Sequence, residues 1–409
     1  MVDDPRRPRP AGEAAVRAFR HPAARVKVAL MVTETEFDQL LDLVRGFIRR
    51  EVMPAEAGID ESDEIPARLI EQAKEMGLYG YALPAEYGGL GLSVGQQVRL
   101  TIELGYTSPA FRSLFGTNNG IAGQVLVLAG TEAQRKQWLP RLASGEVVAS
   151  FALTEPDAGS DPSRLVTTAR EEGGGWVIDG LKRYITNAPA ADAFMVFART
   201  DPDGPPGKGI GVFIVPAHTD GVTVAARDHK MGQAGAWTAD VALVGVRVPA
   251  DALVGEAAQA GYATAMRSLA HGRLVIAAMC VGVAARLIDE SVSYAKERSQ
   301  GGHRIGEYQL VQAMLADSQT EYLAARSLVL DAAAQYDAGT DRRLAPSAAK
   351  YFASEAVGRI ADRAVQIHGG SGYIRGIPVE RLYRDVRLFR IYEGTSQIQQ
   401  LVIARELLR

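Results

Sequence analysis

The hydrophobic period of this chain changes twice along its length, and few folds accommodate both changes. From Thr33, the segment TETEFDQLLDLVRGFIRREV puts Phe37, Leu40, Leu41, Val44, Phe47 and Ile48 on one helical face. Thr33 with Glu36 forms a capping-box pattern in front of them. Helices are expected again around 65–77, 96–106 and 131–143, joined by turn-rich stretches such as LPAEYGGLGLS. Near Phe151 the period shortens. WVIDG, AFMVFAR, GVFIVPA, GVTVAAR and ADVALVGVRVP are short Val/Ile/Phe-rich runs punctuated by Gly, Pro and Asp, which predicts an antiparallel barrel or sandwich. From Tyr262 the helical period returns and persists. In GEYQLVQAMLADSQTEYLAARSLVLDAAAQY, residues Val311, Met314, Leu315, Tyr322, Ala325 and Val329 recur at spacings of 3, 4 and 7. Such helices pack into a bundle, or bury a face against a second subunit.

The chain therefore reads as an α+β multi-domain protein: a helical unit over 33–150, a β domain over 151–256 and a helical domain over 257–409. Residues 1–32, rich in Pro, Ala and Arg, are expected to be a disordered arm, or an over-long start with Met31 as the true beginning. Asp3, Asp4 and Glu13 argue against a transit peptide there.

Several chemistries are excluded early. A net charge of -3 gives no reason to expect nucleic acid or an anionic membrane as partner. No run reaches the roughly 18 apolar residues of a membrane span. Cys280 is the only cysteine, so no intrachain disulfide or thiolate metal cluster can form, which fits a reducing, cytoplasmic setting. The six histidines do not cluster and there is no HExxH, so no metal is expected. There is no GxxxxGK[ST] loop, and the glycines of QIHGGSGYIRG lack the spacing and strand–helix context of a Rossmann turn.

Two stretches carry chemistry. FALTEPDAGSDPSRLVTTA (151–169) gathers hydroxyls, carboxylates and small residues at the entry to the β domain, where backbone N–H groups can cradle a phosphate or a flat polar ring. FRIYEGTSQIQQL (389–401) isolates one carboxylate, Glu393, between an apolar-aromatic run and Gly-Thr-Ser. Thr395 or Ser396 could simply cap a last helix. The alternative is a base held in a low-dielectric pocket with its pKa raised toward neutrality.

TEPDAGSD resembles the first signature of the acyl-CoA dehydrogenase family, QIHGGSGYIRGIPVERLYRD the second, and RIYEGTSQIQ the segment bearing the family's catalytic glutamate. The likeness runs from about residue 33 to the end. It implies an N-terminal helical domain, a central β domain and a C-terminal four-helix bundle. It also implies FAD-dependent α,β-dehydrogenation of an acyl-CoA to the trans-2-enoyl-CoA. In that scheme Glu393 removes the α-proton while flavin N5 takes the β-hydride. Tyr392 and Gly394 would flank the acyl chain, with Arg273 behind the site. Phe151, Leu153, Thr154, Gly159 and Ser160 would line the flavin, Ser160 also meeting the CoA arm. Tyr184-Ile185-Thr186 would lie along the ring and hydrogen-bond at N5. Thr395 and Gln397 would contact FAD from the last helix. Arg298, Gln300 and Gln309, with Gln366, Gly369 and Gly370, would reach a neighbour's FAD, which makes a dimer or dimer of dimers (a homotetramer) the expected unit. An electron-transferring flavoprotein would be the acceptor in fatty acid metabolism. An oxidase using dioxygen and a DNA-binding relative are the alternatives; intact Glu393 and the net charge disfavour the last.

The chain departs from the family pattern at Arg164, Gly376 and Gly301. Gly272 stands where some members place their base, leaving Glu393 as the candidate. The arginines Arg375, Arg381, Arg384, Arg387 and Arg390 alternate with acids and predict an ion-pair network. Glu103, Asn118 and Asn119 hint at a short or polar acyl group, or are surface residues.

Overall fold

The computed structural model describes residues 32–409, so the expected arm lies, apart from Val32, outside the described residues. The N-terminal unit consists of α1 (Glu34–Phe47), α2 (Glu56–Ser62), α3 (Ala67–Glu75), α4 (Val94–Leu104), α5 (Pro109–Asn119), α6 (Ile121–Ala129) and α7 (Glu132–Ser144). Three of these helices begin at reciprocal caps. Thr33, Ser93 and Thr131 each accept a backbone N–H three residues on, and Glu36, Gln96 and Gln134 reach back to the cap.

The middle domain is one sheet of β1 (Ala149–Ala152), β2 (Thr168–Glu172), β3 (Gly175–Thr186), β4 (Ala193–Arg199), β5 (Ile210–Pro216), β6 (Val222–Val224) and β7 (Thr238–Pro249), in the order β1-β4-β2-β3-β7-β6 with β5 on β4. It is not wholly antiparallel, as the strand pattern suggested. β1 runs parallel to Ala193–Val196 of β4, and β2 continues along the same edge at Arg199. The β2–β3 hairpin supplies the crossover a parallel pair needs. β4 and β5 are buried along nearly their whole length, so both read as continuous apolar runs.

The C-terminal unit begins with α8 (Gly261–Glu297). Next come the short hairpin β8–β9 (Ser299–Gln300, His303–Arg304), α9 (Gln309–Ala338), α10 (Leu344–His368), α11 (Pro378–Val386) and α12 (Ser396–Leu407). α8, α9 and α10 pack side by side, with α4 against the first two and α12 against α10. α8 is long and apolar enough to cross a bilayer, although the sequence has no unbroken apolar run of that length. Yet 89% of its most apolar window is buried inside the protein. A helix apolar all round belongs in a large core. That core is shared: Phe37, Val44 and Phe111 of the first unit join Met279, Val329, Val357 and Phe389 of the last.

Buried ions stitch the three units together. Glu56 accepts from Thr107 Oγ1 (2.5 Å) and Ser108 N (3.1 Å), and pairs with Arg381 and, at 3.9 Å, Arg286. Asp385, one turn on from Arg381, accepts from Ser108 Oγ (3.1 Å) and from the backbone N–H of Gln233. Arg384 pairs with Asp60 (2.9 Å) across two units, and Arg390 pairs with Glu355 (3.5 Å) within the last one at a partly exposed site, so both members of the arginine series form ion pairs.

A second buried pair anchors the loop after β1. Lys182, 0% exposed on β3, donates to Glu155 Oε1 (2.7 Å) and to the Phe197 carbonyl (2.6 Å). Glu155 also accepts from the N–H groups of Val166 (2.6 Å) and Thr167 (3.0 Å). Burial pushes the Lys182 ammonium down to about 8. Burial also pushes the Glu155 carboxyl up, but Lys182 and the two N–H donors together hold it below its usual range. Breaking such a pair from one side strands a charge. Glu155→Gln is therefore expected to cost about 3–5 kcal/mol in urea unfolding. Adding Lys182→Met should recover most of that loss; an unrecovered double variant would contradict this account.

Candidate active site

Between Arg390 and α12 the chain makes a turn that an ordinary residue avoids. Glu393 has φ 55° and Gly394 φ 88°. A side chain in the left-handed region costs on the order of 1 kcal/mol and persists only where its surroundings hold it. The buried amide of Gln399 does so, donating to the carbonyls of Glu393 and Gly394 at 3.0 Å each. Lys350 Nζ donates to the Gly394 carbonyl at 2.8 Å. At φ 88° a side chain at position 394 would be strained, and its Cβ would stand 2.5 Å from Gln399 Nε2, so glycine suits the turn. Thr395 Oγ1 accepts from Ile398 N (3.2 Å) and caps α12. The cap reading thus holds at Thr395, two residues on from Glu393.

The turn aims the Glu393 side chain into a cleft of about 580 Å³, walled by α5, the loop after β1, the end of β3 and α8. The carboxylate rests on Gly272, where a Cβ would lie 2.7 Å from Oε2. The residue's exposure is intermediate, but Oε2 itself is buried and has no hydrogen-bond partner. Burial raises its pKa to about 7, against the pull of Arg112, Arg273 and Lys350. Arg273, buried on α8, donates to Ser347 Oγ at 3.3 Å, and burial lowers its own pKa. Tyr392 lines the same cavity.

The facing wall carries Phe151, Leu153 and Ile185, with the hydroxyls of Thr154, Ser160 and Thr186 and the bare backbone of Gly159. Tyr184 adds an aromatic ring that is 60% exposed. A register shift between Lys182 and Ile185 turns it outward, with φ 57°. An apolar wall edged by hydroxyls and an exposed ring suits a flat, polar-rimmed heterocycle. Phe151, Leu153, Thr154, Ser160, Tyr184 and Thr186 could hold an isoalloxazine there.

Other expected contacts lie elsewhere. Thr395 and Gln397 do not line the cleft. The first spends its hydroxyl on the cap, and the second is exposed. Arg298, Gln300 and Gln309 are exposed on the β8–β9 hairpin and the start of α9, and Gln366, Gly369 and Gly370 at the end of α10. Those two groups are neighbours: Tyr294 stacks on His368 with centroids 4.2 Å apart. Glu103, Asn118 and Asn119 do not touch the cleft. Glu103 pairs with Arg45 at 2.8 Å. The two asparagines are fully buried brackets, Asn118 holding the carbonyls of Leu142 and Val147 and Asn119 those of Leu78 and Phe115. The sequence reading passed over Arg112, Lys350 and Gln399. Only Arg112 left a local trace, an arginine between Phe111 and Phe115 followed at helical spacing by Gly116 and Gly120.

A helix–sheet–helix chain with a desolvated carboxylate facing such a wall has the arrangement that a flavin-dependent oxidoreductase requires. Family models for the acyl-CoA dehydrogenase N-terminal, middle and C-terminal domains match residues 34–146, 150–246 and 259–408. The chain belongs to the acyl-CoA dehydrogenase family, whose cofactor is FAD. It is 40% identical over 376 residues to a 3-(aryl)acrylate reductase of Clostridium sporogenes, covering 92% of this chain and 99% of that one. It is likewise 40% identical over 351 residues to the caffeyl-CoA reductase-Etf complex subunit CarC of Acetobacterium woodii, covering 86% and 92%. The solved butyryl-CoA dehydrogenase of Megasphaera elsdenii superposes with a TM-score of 0.88 at 32% identity, covering 94% of this chain and all of that one.

Raising a carboxyl from 4.5 to about 7 means that its ionisation destabilises the folded state. The penalty is absent below the unfolded pKa and complete above the folded one. Glu393→Gln should therefore resist urea better than the parent at pH 8, by about 3 kcal/mol. That advantage should fade as the pH falls through 7 toward 4.5. An advantage independent of pH would show that the carboxylate is not the strained group.

Proposed function

We propose that the protein interconverts a saturated acyl-CoA and its trans-2-enoyl-CoA, with Glu393 as the group that moves the α-proton. One observation carries this reading: a carboxyl oxygen sealed in the cleft without a hydrogen-bond partner, on a turn strained to place it there. A base must be desolvated to be strong and must have its pKa near the working pH, and Glu393 meets both conditions. Bound FAD supplies the acceptor for the β-hydride. Among the described residues no acceptor takes the Glu393 N–H. It is thus available to donate to a thioester carbonyl and stabilise the enolate that forms as the α-proton leaves. Arg273 and Lys350 keep the ionised base affordable in the dry cleft, and Gln399 fixes its direction.

The direction of the reaction follows the electron partner, for which an electron-transferring flavoprotein is the candidate. One similar protein carries Etf in its name. Two are named as reductases, which favours a second reading in which the same residues run backwards and Glu393 delivers the proton. The exposed residues Arg298, Gln300, Gln309, Gln366, Gly369 and Gly370 would complete a neighbour's cofactor site. Leu310, Tyr373 and Ile374 beside them are 82%, 84% and 61% exposed, apolar surface that a second copy would cover.

Glu393→Gln should retain the bound-flavin spectrum and lose about 10²–10⁴-fold in the rate of flavin bleaching by acyl-CoA. In the parent, kcat/KM for dehydrogenation should rise tenfold per pH unit up to about pH 7 and then level off. Undiminished bleaching by the variant would end this reading. Reduction of enoyl-CoA that outpaces dehydrogenation at equal dye potential would select the reverse direction, and fast peroxide formation an oxidase.

A further inference from the structure

One half-buried cation of the cleft adds its field at Glu393 but has no hydrogen-bond partner of its own among the described residues. Arg112 projects from α5 and lines the cavity with Gly272, Tyr392 and Glu393. Its Nε is buried without a partner, and among the described residues no carbonyl, hydroxyl or carboxylate bonds to its guanidinium. The buried and half-buried cations around it are engaged, and Arg405, which also lines the cavity, is exposed on α12. Arg273 reaches Ser347 Oγ, Lys350 reaches the Gly394 carbonyl, and Lys230 faces Asp63, Asp228 and Asp385.

The helix is shaped around this side chain. A Cβ on Gly116 would stand 2.7 Å from Arg112 Nη1, and one on Gly120 3.7 Å from Nη2. Gly116, one turn on from Arg112, therefore leaves room for the guanidinium where it lies, while the distance from Gly120 is an ordinary contact. It sits at the inner end of the cleft, where its charge acts on Glu393, Tyr392 and buried His271. Ser160 and Asp161, also in the lining, are exposed, and Asp161 is already paired with Arg164 at 3.0 Å. Glu393 is the acid of the cleft on which the charge of Arg112 acts, and it becomes neutral when it takes the proton.

We propose that Arg112 is an anion subsite at the inner end of the acyl pocket, so that the preferred substrate is the CoA thioester of a short dicarboxylic acid, or its 2-enoyl counterpart. This rests on the reading of the cleft as a site of acyl-thioester dehydrogenation. A guanidinium presents its N–H groups as a fork that a terminal carboxylate matches bidentately. The methyl end of a monocarboxylic chain would instead leave a dry, unpaired cation, which is costly. The acyl group must be short, because its far end meets Arg112 while its α-carbon stands beside Glu393.

The test compares straight-chain acyl-CoAs of about four to seven carbons, each with and without a terminal carboxylate, by flavin bleaching on the FAD-loaded protein. The carboxylated member of a pair is expected to have the higher kcat/KM, by about 10- to 100-fold. Arg112→Met should erase that ratio, mostly through KM, and Arg112→Lys should restore part of it as a point charge without the fork. A parent that prefers the uncarboxylated partner overturns the proposal. So does an Arg112→Met variant that loses equally on both series while the acidic limb of its pH profile moves up, which would make Arg112 only a modulator of the base. If no thioester of either kind bleaches the flavin, the dehydrogenation reading itself fails and the subsite with it.

Discussion

The structure depends on keeping one carboxylate dry. A charged group sealed from water is unstable unless something nearby compensates it, and full compensation by hydrogen bonds would abolish its basicity. The protein takes a middle course: Glu393 Oε2 has no hydrogen-bond donor but lies in the field of three cations. Field without contact leaves the group ionisable and reactive. It also demands that the cations be held by something other than the carboxylate, and Arg273 and Lys350 are.

That demand explains the shared core. Glu393 hangs from the segment between α11 and α12, Gly272 comes from α8, Arg112 from α5 and the facing wall from the β domain. A shift of an ångström in any of the three units would wet the carboxylate or close the cleft. Glu56 and Asp385 work against such shifts by tying Thr107 and Ser108 of the first unit, Gln233 of the second and Arg381 of the third into one buried knot. Breaking this knot would strand charge in the first and third units and unpair the Gln233 N–H of the second, which makes their relative placement cooperative.

Much of this was legible in the sequence where chemistry is local. The capping box at Thr33, the run of strands after Phe151 and the isolation of Glu393 are set by near neighbours, and each stands where the pattern placed it. The parallel β1–β4 pairing was not legible, because register between strands some forty residues apart leaves no periodic mark. Asn118 and Asn119 misled for a related reason. Polar residues on a helix read as surface or site, and only the tertiary structure shows the carbonyls they bracket. Lys350 and Gln399 were invisible because their partners are backbone carbonyls of a turn that forms only when the whole unit does.

Gly272 carries a historical implication. The carboxylate of Glu393 fills the volume that any larger residue at position 272 would claim, so the two positions compete for the same few cubic ångströms. On the reading proposed for Glu393, a lineage cannot relocate the proton-transfer group from one to the other by accumulating single neutral substitutions. It must pass through an ancestor that is crowded, with both side chains, or inert, with neither. The glycine therefore works as a ratchet, and where the acid sits should be among the slowest-changing characters of descendants of this chain.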